Sequence, residues 1–380
     1  MNASPNPKGW AARFAARAVA ARLPEFPWDS LTAFEDLARQ HPGGVVDLSV
    51  GSPVDPSPDI VRKGLVAGAD APGYPSTFGS VGCRQAAVDW LARRFEVVGL
   101  RADAVLPSIG SKELIASLPL HLGLGAGDTV VIPELAYPTY EVGARLAGCE
   151  VVASDSTLSL GPAAPALLWL NSPSNPTGRV LPVEHLRKVV AWARGRGVLV
   201  ASDECYLELA WEAEPVSILH PDVCDGSFEG LLSVHSLSKR SNLAGYRAAF
   251  VAGDAEIVAR LLAVRKNLGL MMPGPVQSAL VAGLCDDAHV EIQRARYSAR
   301  RAVLRAAFEG AGFRIDHSEA SVYLWATRGE PCLSTVGWLA ERGVLVAPGH
   351  FYGAAGSQHV RIALTVTDER AAAVHDRLAP

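Results

Sequence analysis

Short apolar runs alternating with longer helical stretches organise most of this chain. Runs at 45–50, 104–109, 128–133, 150–153, 167–170, 198–202, 231–234 and 248–252 read as strands. Helical stretches such as 81–95 and 182–196 lie between them. An earlier helix is expected to open with Asp29 or Ser30 as N-cap and to end near His41-Pro42-Gly43-Gly44. Strands alternating with helices predict an α/β domain whose sheet is mostly parallel and set between helices. Past Pro273-Gly274-Pro275 the pattern changes. A long charged helix at 287–309 precedes short strands at 322–326, 344–347 and 359–364, which predicts a smaller α+β domain. The expected division is an N-terminal arm and the start of the small domain over 1–47, a large domain over 48–274, and a small C-terminal domain over 275–380.

In such a sheet, ligands lie at the carboxyl ends of the strands. The polar clusters of the chain fall there, at 171–178, 203–206 and 236–239. In the last of these, Ser236-Leu237-Ser238-Lys239 follows the run 231–234, and Arg247 comes eight positions later (247 − 239). Burial disfavours a charged amine, and a neutral amine is what Schiff-base chemistry with a carbonyl cofactor needs. Taken alone, the Ser-Lys pair reads as a solvated loop. Asp203, in Asp203-Glu204-Cys205-Tyr206, ends an apolar strand and needs a cationic partner, which a protonated pyridine nitrogen would supply. Taken alone, it reads as a strand-end cap. Asn175-Pro176-Thr177-Gly178 is by itself an Asn-Pro turn. Gly110-Ser111-Lys112-Glu113 opens a helix, where free N–H groups and the helix dipole favour an anion. Gly51, in a turn-rich loop, lets backbone approach a substrate. Tyr74 and Tyr137 alone read as packing aromatics, and Arg361 as a surface arginine.

Together these elements resemble the class I/II aminotransferases, fold-type I enzymes that use pyridoxal 5′-phosphate (PLP). The resemblance runs from about Asp47 to Thr367 and rests on Ser-x-Ser-Lys…Gly-x-Arg, Asn-Pro-x-Gly and Asp-x-x-Tyr. It implies that Lys239 joins the cofactor as a Schiff base and later shuttles the proton. Asp203 would pair with the pyridinium nitrogen, and Asn175 and Tyr206 would hold the 3′-oxygen. Ser236, Ser238 and Arg247, with the Gly110-Ser111-Lys112 turn, would cradle the phosphate, and Tyr137 would stack on the ring. Arg361 would clamp the substrate α-carboxylate near Gly51, and Tyr74 would reach the phosphate of a neighbouring subunit in a homodimer. Ser174 and Ala249 depart from the common family form, which has Asn and Gly there.

Longer stretches, among them Phe26-Pro27-Trp28-Asp29 and Val346-Ala347-Pro348-Gly349, resemble the actinobacterial-type N-succinyldiaminopimelate aminotransferases. That likeness implies glutamate as amino donor and N-succinyl-2-amino-6-oxopimelate as acceptor. Lys112 or Arg84 would then read the distal carboxylate. An aspartate- or alanine-type aminotransferase of broader range, or a PLP-dependent C–S lyase, would use the same motifs.

Composition narrows the field. With 380 residues, 49% hydrophobic and 19% charged, the chain is expected to fold as a globular two-domain enzyme. A net charge of −4 gives no electrostatic footprint for nucleic acid or an anionic membrane. The 6 cysteines form no C-x-x-C pair, so neither a disulfide framework nor a metal site is expected, and they read as reduced thiols of a cytoplasmic protein. No apolar run is long enough for a transmembrane helix. The first 24 residues carry arginines among alanines and no acid, which reads as an arm rather than a targeting helix. A transcription regulator with an aminotransferase-like sensor would need a DNA-binding domain, and the residues before Asp47 are too few to supply one.

Overall fold

A computed structural model describes residues 23–162 and 164–379. The strands are β1 (Val46–Asp47), β2 (Val105–Ile109), β3 (Thr129–Ile132), β4 (Glu150–Ala153), β5 (Leu167–Asn171), β6 (Leu199–Asp203), β7 (Leu231–Ser236) and β8 (Ala248–Gly253) in the first two thirds. β9 (Arg314–Asp316), β10 (Tyr323–Thr327), β11 (Val344–Leu345), β12 (Ala347–Pro348) and β13 (His359–Ala363) follow. Seven of them make the main sheet, in the order β2-β8-β7-β6-β5-β3-β4. Every neighbouring pair is parallel except those of β8, which runs antiparallel to β2 and β7. The sheet is therefore mixed but mostly parallel, as the alternation predicts.

Both faces of this sheet are covered, which is why its strands read as continuous apolar runs. The two-residue period of β5 divides its side chains between two cores. Leu168 and Leu170 pack with Trp90, Leu91, Leu186 and Val190 from the helices Val81–Phe95 and Val183–Arg194. Leu167 and Trp169 pack on the other face with Ile115, Leu118 and Tyr140 from the helices Ser111–His121 and Thr139–Ala147. Each fully buried leucine contributes about 1.5–3 kcal/mol. Local chemistry fixes the helix ends. The hydroxyl of Ser80 accepts the N–H of Cys83 at 3.1 Å, and Asp254 caps the helix Ala255–Leu268 through the N–H groups of Glu256 and Ile257.

The smaller half is an antiparallel sheet in the order β12-β13-β10-β9, covered by the long helix Ala288–Gly310. Its core takes in Leu31, Val46 and Leu48, because β1 pairs in parallel with β11. Several expectations need correction. The first helix begins as a 3-10 turn over Pro27–Leu31 and becomes α-helical only at Thr32–Arg39. The strand expected over 45–50 is two residues long, because the chain beyond Leu48 leaves the ladder for the site. The helix Gly274–Cys285 contributes Ala279, Leu280 and Leu284 to the larger core, so by packing it belongs with the residues before 275. Of the arm expected over the first 24 residues, 1–22 lie outside the described residues. Among the described residues no helix is long and apolar enough to cross a membrane, and no cluster of histidine, cysteine or acidic side chains is placed to hold a metal.

Candidate active site

The parallel strands end around a cavity of about 650 Å³. Lys239 enters it from the single turn Leu237–Arg240, directly after β7. Ser236 caps that turn: its hydroxyl accepts the N–H of Ser238 at 3.2 Å and donates to the Ser238 hydroxyl at 2.8 Å. The Lys239 amine donates to the backbone carbonyl of Gly51. Burial pulls its pKa below the ordinary lysine value, and the nearby Arg361 and Arg247 add to the fall. An amine in this state is a better nucleophile and base than a solvated lysine.

Asp203 closes β6 and is 5% exposed. Its Oδ2 accepts the hydroxyl of Tyr140 at 2.9 Å, and its Oδ1 accepts the N–H of Cys205 at 3.2 Å. Burial raises its pKa, although both hydrogen bonds oppose the rise. Among the described residues no cationic side chain forms a salt bridge with it, so the carboxylate suits a cation brought by a ligand. On the neighbouring β5, the amide of Asn171 donates to the carbonyls of Pro173 and Asp203 at 3.1 and 2.9 Å. Its oxygen accepts the N–H of Asn175 at 2.7 Å, which turns Asn175 into the cavity. The peptides Ser172-Pro173 and Asn175-Pro176 are both cis. Tyr206, one turn past Asp203, meets Tyr323 hydroxyl to hydroxyl at 3.4 Å.

Gly110 has φ +94°, and a Cβ there would overlap the Arg247 guanidinium. Only glycine lets the arginine close over the start of the helix Ser111–His121. The Arg247 guanidinium also donates to the Ala244 carbonyl at 2.7 Å. Ser111, Ser236, Ser238 and Arg247 share this end of the cavity and form a cradle of hydroxyls, guanidinium and free N–H groups that fits a phosphate. A phosphate here and a protonated ring nitrogen at Asp203 are the two ends of PLP, so the residues present fit that cofactor.

Arg361, on β13, is 2% exposed and donates to Asn175 Oδ1 at 2.9 Å and to the Ser49 carbonyl at 2.6 Å. Its guanidinium lies 4.0 Å over the Tyr323 ring, and its Nε is buried without a partner among the described residues. Gly51 is glycine for a steric reason, since a Cβ would lie 2.9 Å from the Tyr323 ring carbons. Phe26, Pro27, Trp28 and Val142 give the cavity an apolar wall, with the Lys112 amine 5.5 Å from the Phe26 ring centre. Tyr137 lines the same cavity, and burial pushes its pKa up to about 12.

One cavity thus gathers all the residues expected from sequence except three. Gly110 stands behind it, against Arg247. Tyr74 is 99% exposed and is not in the lining. Arg84, expected as one reader of a distal carboxylate, is not in the lining: it donates to the Ala102 carbonyl at 2.8 Å and stacks over Phe78. Sequence reasoning missed Tyr140, Asn171 and Tyr323. Tyr140 follows Tyr137 by three positions, a spacing that could have linked them. Tyr323 carries no local signal.

The family described as "Aminotransferase class I and II" matches residues 43–378. A probable aminotransferase of Mycobacterium tuberculosis is 64% identical over 95% of this chain and 86% of its own. The 4-dedimethylamino-4-oxo-anhydrotetracycline transaminase OxyQ of Streptomyces rimosus is 58% identical over 94% of this chain and 99% of its own. The solved structure of a probable N-succinyldiaminopimelate aminotransferase from Thermus thermophilus superposes with TM-score 0.83 at 30% identity, covering 92% and 98% of the two chains. The match spans both halves of the fold and every strand end that faces the cavity, and it makes this chain a member of the PLP-dependent class I and II aminotransferases.

Proposed function

We propose that this aminotransferase moves the amino group of glutamate onto N-succinyl-2-amino-6-oxopimelate, releasing 2-oxoglutarate and N-succinyldiaminopimelate. The observation that carries the reading is that Arg361 and Lys112 both line the cavity that Lys239 enters. Among the described residues the buried Nε of Arg361 has no partner, and the Lys112 amine lies 5.5 Å from the Phe26 ring centre in the same cavity. Both substrates carry an α-carboxylate and a second, distal anion. The name of the Thermus neighbour supports the same acceptor.

PLP, when bound, supplies a carbonyl that condenses with amines and a ring that accepts electron density from the bond being broken. The protein does the rest. Arg361 holds the α-carboxylate through a guanidinium fork, which fixes the amino acid's orientation. That orientation brings the substrate Cα–H toward Lys239, whose Nζ takes the proton, a step worth about 10²–10⁴ in rate. Asp203 provides the anion opposite the ring nitrogen. Asn175 has its oxygen committed to Arg361, which leaves its amide N–H groups to donate to the 3′-oxygen together with the Tyr206 hydroxyl. Tyr137 covers the ring face, and the cradle of Ser111, Ser236, Ser238 and Arg247 anchors the phosphate. We further propose a cytoplasmic homodimer with large and small domains, in which Tyr74 completes the partner's phosphate site.

A second reading is favoured by the apolar wall of Phe26, Pro27 and Trp28 and by the likeness to OxyQ: an acceptor with an extended ring system in place of a distal carboxylate. An absorbance titration separates them. Glutamate converts the loaded enzyme to its aminated form, and the candidate acceptors are then added in turn. Recovery of the original band with N-succinyl-2-amino-6-oxopimelate, but not with pyruvate, oxaloacetate or a polycyclic ketone, is the expected result. Recovery with the polycyclic ketone alone selects the second reading. Lys112→Ala is expected to raise the Michaelis constant for glutamate and for the acceptor, and unchanged constants would remove Lys112 from the site.

A further inference from the structure

We infer that Tyr140 is a positioning residue, holding the Asp203 carboxylate and the Tyr137 ring in the places that the cofactor ring requires. Nothing in the family motifs points to it. Tyr140 is fully buried near the start of the helix Thr139–Ala147. Its hydroxyl donates to Asp203 Oδ2 at 2.9 Å. Its ring stacks on Trp169 at 4.9 Å with 18° between planes, and meets the Tyr137 ring edge to face at 5.8 Å and 84°. One side chain therefore touches both the group at the edge of the expected ring and the group on its face.

The chemistry of Asp203 makes the hydroxyl matter. Burial alone drives a carboxyl toward its neutral form. The N–H of Cys205 serves one oxygen, and without Tyr140 the other would be buried with no donor from the protein. A neutral Asp203 could not keep a ring nitrogen protonated. Tyr140 itself remains a donor, because burial and the adjacent Asp203 push its hydroxyl pKa well above the ordinary tyrosine value. Trp169 sits two residues before Asn171, which holds the Asp203 carbonyl at 2.9 Å. The aspartate is thus gripped at its backbone and its side chain from the same adjoining strand and helix. The inference rests on the roles proposed above for Asp203 and Tyr137.

Tyr140→Phe deletes one oxygen and leaves the ring, so it tests the hydroxyl directly. Three changes are expected. The midpoint of the pH-dependent visible absorbance of the loaded enzyme moves up by roughly one unit, the size set by a lost charged hydrogen bond. The direction follows because less positive charge at the ring nitrogen lets the nitrogen of Lys239 hold its proton more tightly. The affinity of the apoenzyme for PLP falls about tenfold. The kcat also falls about tenfold while KM for glutamate changes little, since Arg361 is untouched. Trp169→Phe keeps the hydroxyl and is expected to lower Tm without moving the midpoint. Tyr140→His, which retains a donor, is expected to return the midpoint toward the wild type. If Asp203→Asn moves the midpoint and Tyr140→Phe does not, the inference is wrong and the role of Asp203 stands. If neither moves it, both are wrong. If Trp169→Phe moves it as far as Tyr140→Phe, packing rather than the hydroxyl is responsible and the inference is again overturned.

Discussion

Gly51 shows how narrowly the site is built. Its carbonyl takes the Lys239 amine, and its missing side chain leaves room for Tyr323, whose ring lies 4.0 Å beneath the Arg361 guanidinium. Gly51→Ala must push that ring aside and with it the face on which Arg361 rests. We expect KM for glutamate to rise about tenfold or more, a misplacement effect, with the PLP absorbance band intact. Steady-state kinetics and a visible spectrum check this together, and an unchanged KM would show that the ring can yield. Lys239, Asp203, Asn175 and Arg361 were legible because each lies within or a few residues past an apolar run, in a polar cluster at a strand end or, for Arg361, inside a strand. Tyr140, Asn171 and Tyr323 were not. Their roles come from proximity between separate segments: the Tyr140 hydroxyl reaches an aspartate 63 positions away, and no local pattern encodes that.

Behind the site, the carboxyl ends of β6 and β7 bury an unusual pair. Glu204 accepts the Ser217 hydroxyl and the N–H of Ile218, both at 2.7 Å, and its Oε2 lies 3.6 Å from His235 Nε2. Burial lifts the Glu204 pKa from 4.5 to about 7 and, helped by Arg240, lowers that of His235 from 6.5 to about 3. Between pH 4.5 and 6.5 the folded chain carries one proton, on Glu204, and the unfolded chain carries one, on His235. The counts match, so the pair adds no slope to stability there. Below 4.5 the unfolded chain holds the extra proton and stability falls with falling pH; above 6.5 the folded chain holds it, and this contribution is lost as pH rises through about 7. Glu204→Gln leaves only the histidine, so stability should climb with pH between 4.5 and 6.5, at up to about 1.4 kcal/mol per unit. Chemical denaturation across that range measures it, and a flat profile in the variant would place the proton elsewhere. At this scale the sequence was informative about the elements themselves. All ten runs from 104 to 364 that it marked as strands contain strand residues, and the antiparallel sense of β8 was the part that local pattern left open.

Across the whole molecule, exposed apolar side chains recur between positions 66 and 81: Val66 is 73% exposed, Tyr74 99% and Val81 69%. A homodimer that covers them is expected from sedimentation of the holoenzyme, and Tyr74→Ala should weaken PLP binding although Tyr74 lies outside its own cavity. Unaltered affinity would leave Tyr74 without a role across the interface. The join between the chain's two ends was invisible in sequence, because Val46 pairs with Val344 across nearly the full length and the pattern on either side looks local. That join carries the loop from Ser49 to Gly51, whose carbonyls receive Arg361 and Lys239 at rest. Both side chains are thus already hydrogen-bonded to that loop. On the role proposed for Arg361, an arriving carboxylate meets a guanidinium that already holds protein oxygens, with its Nε left to receive it.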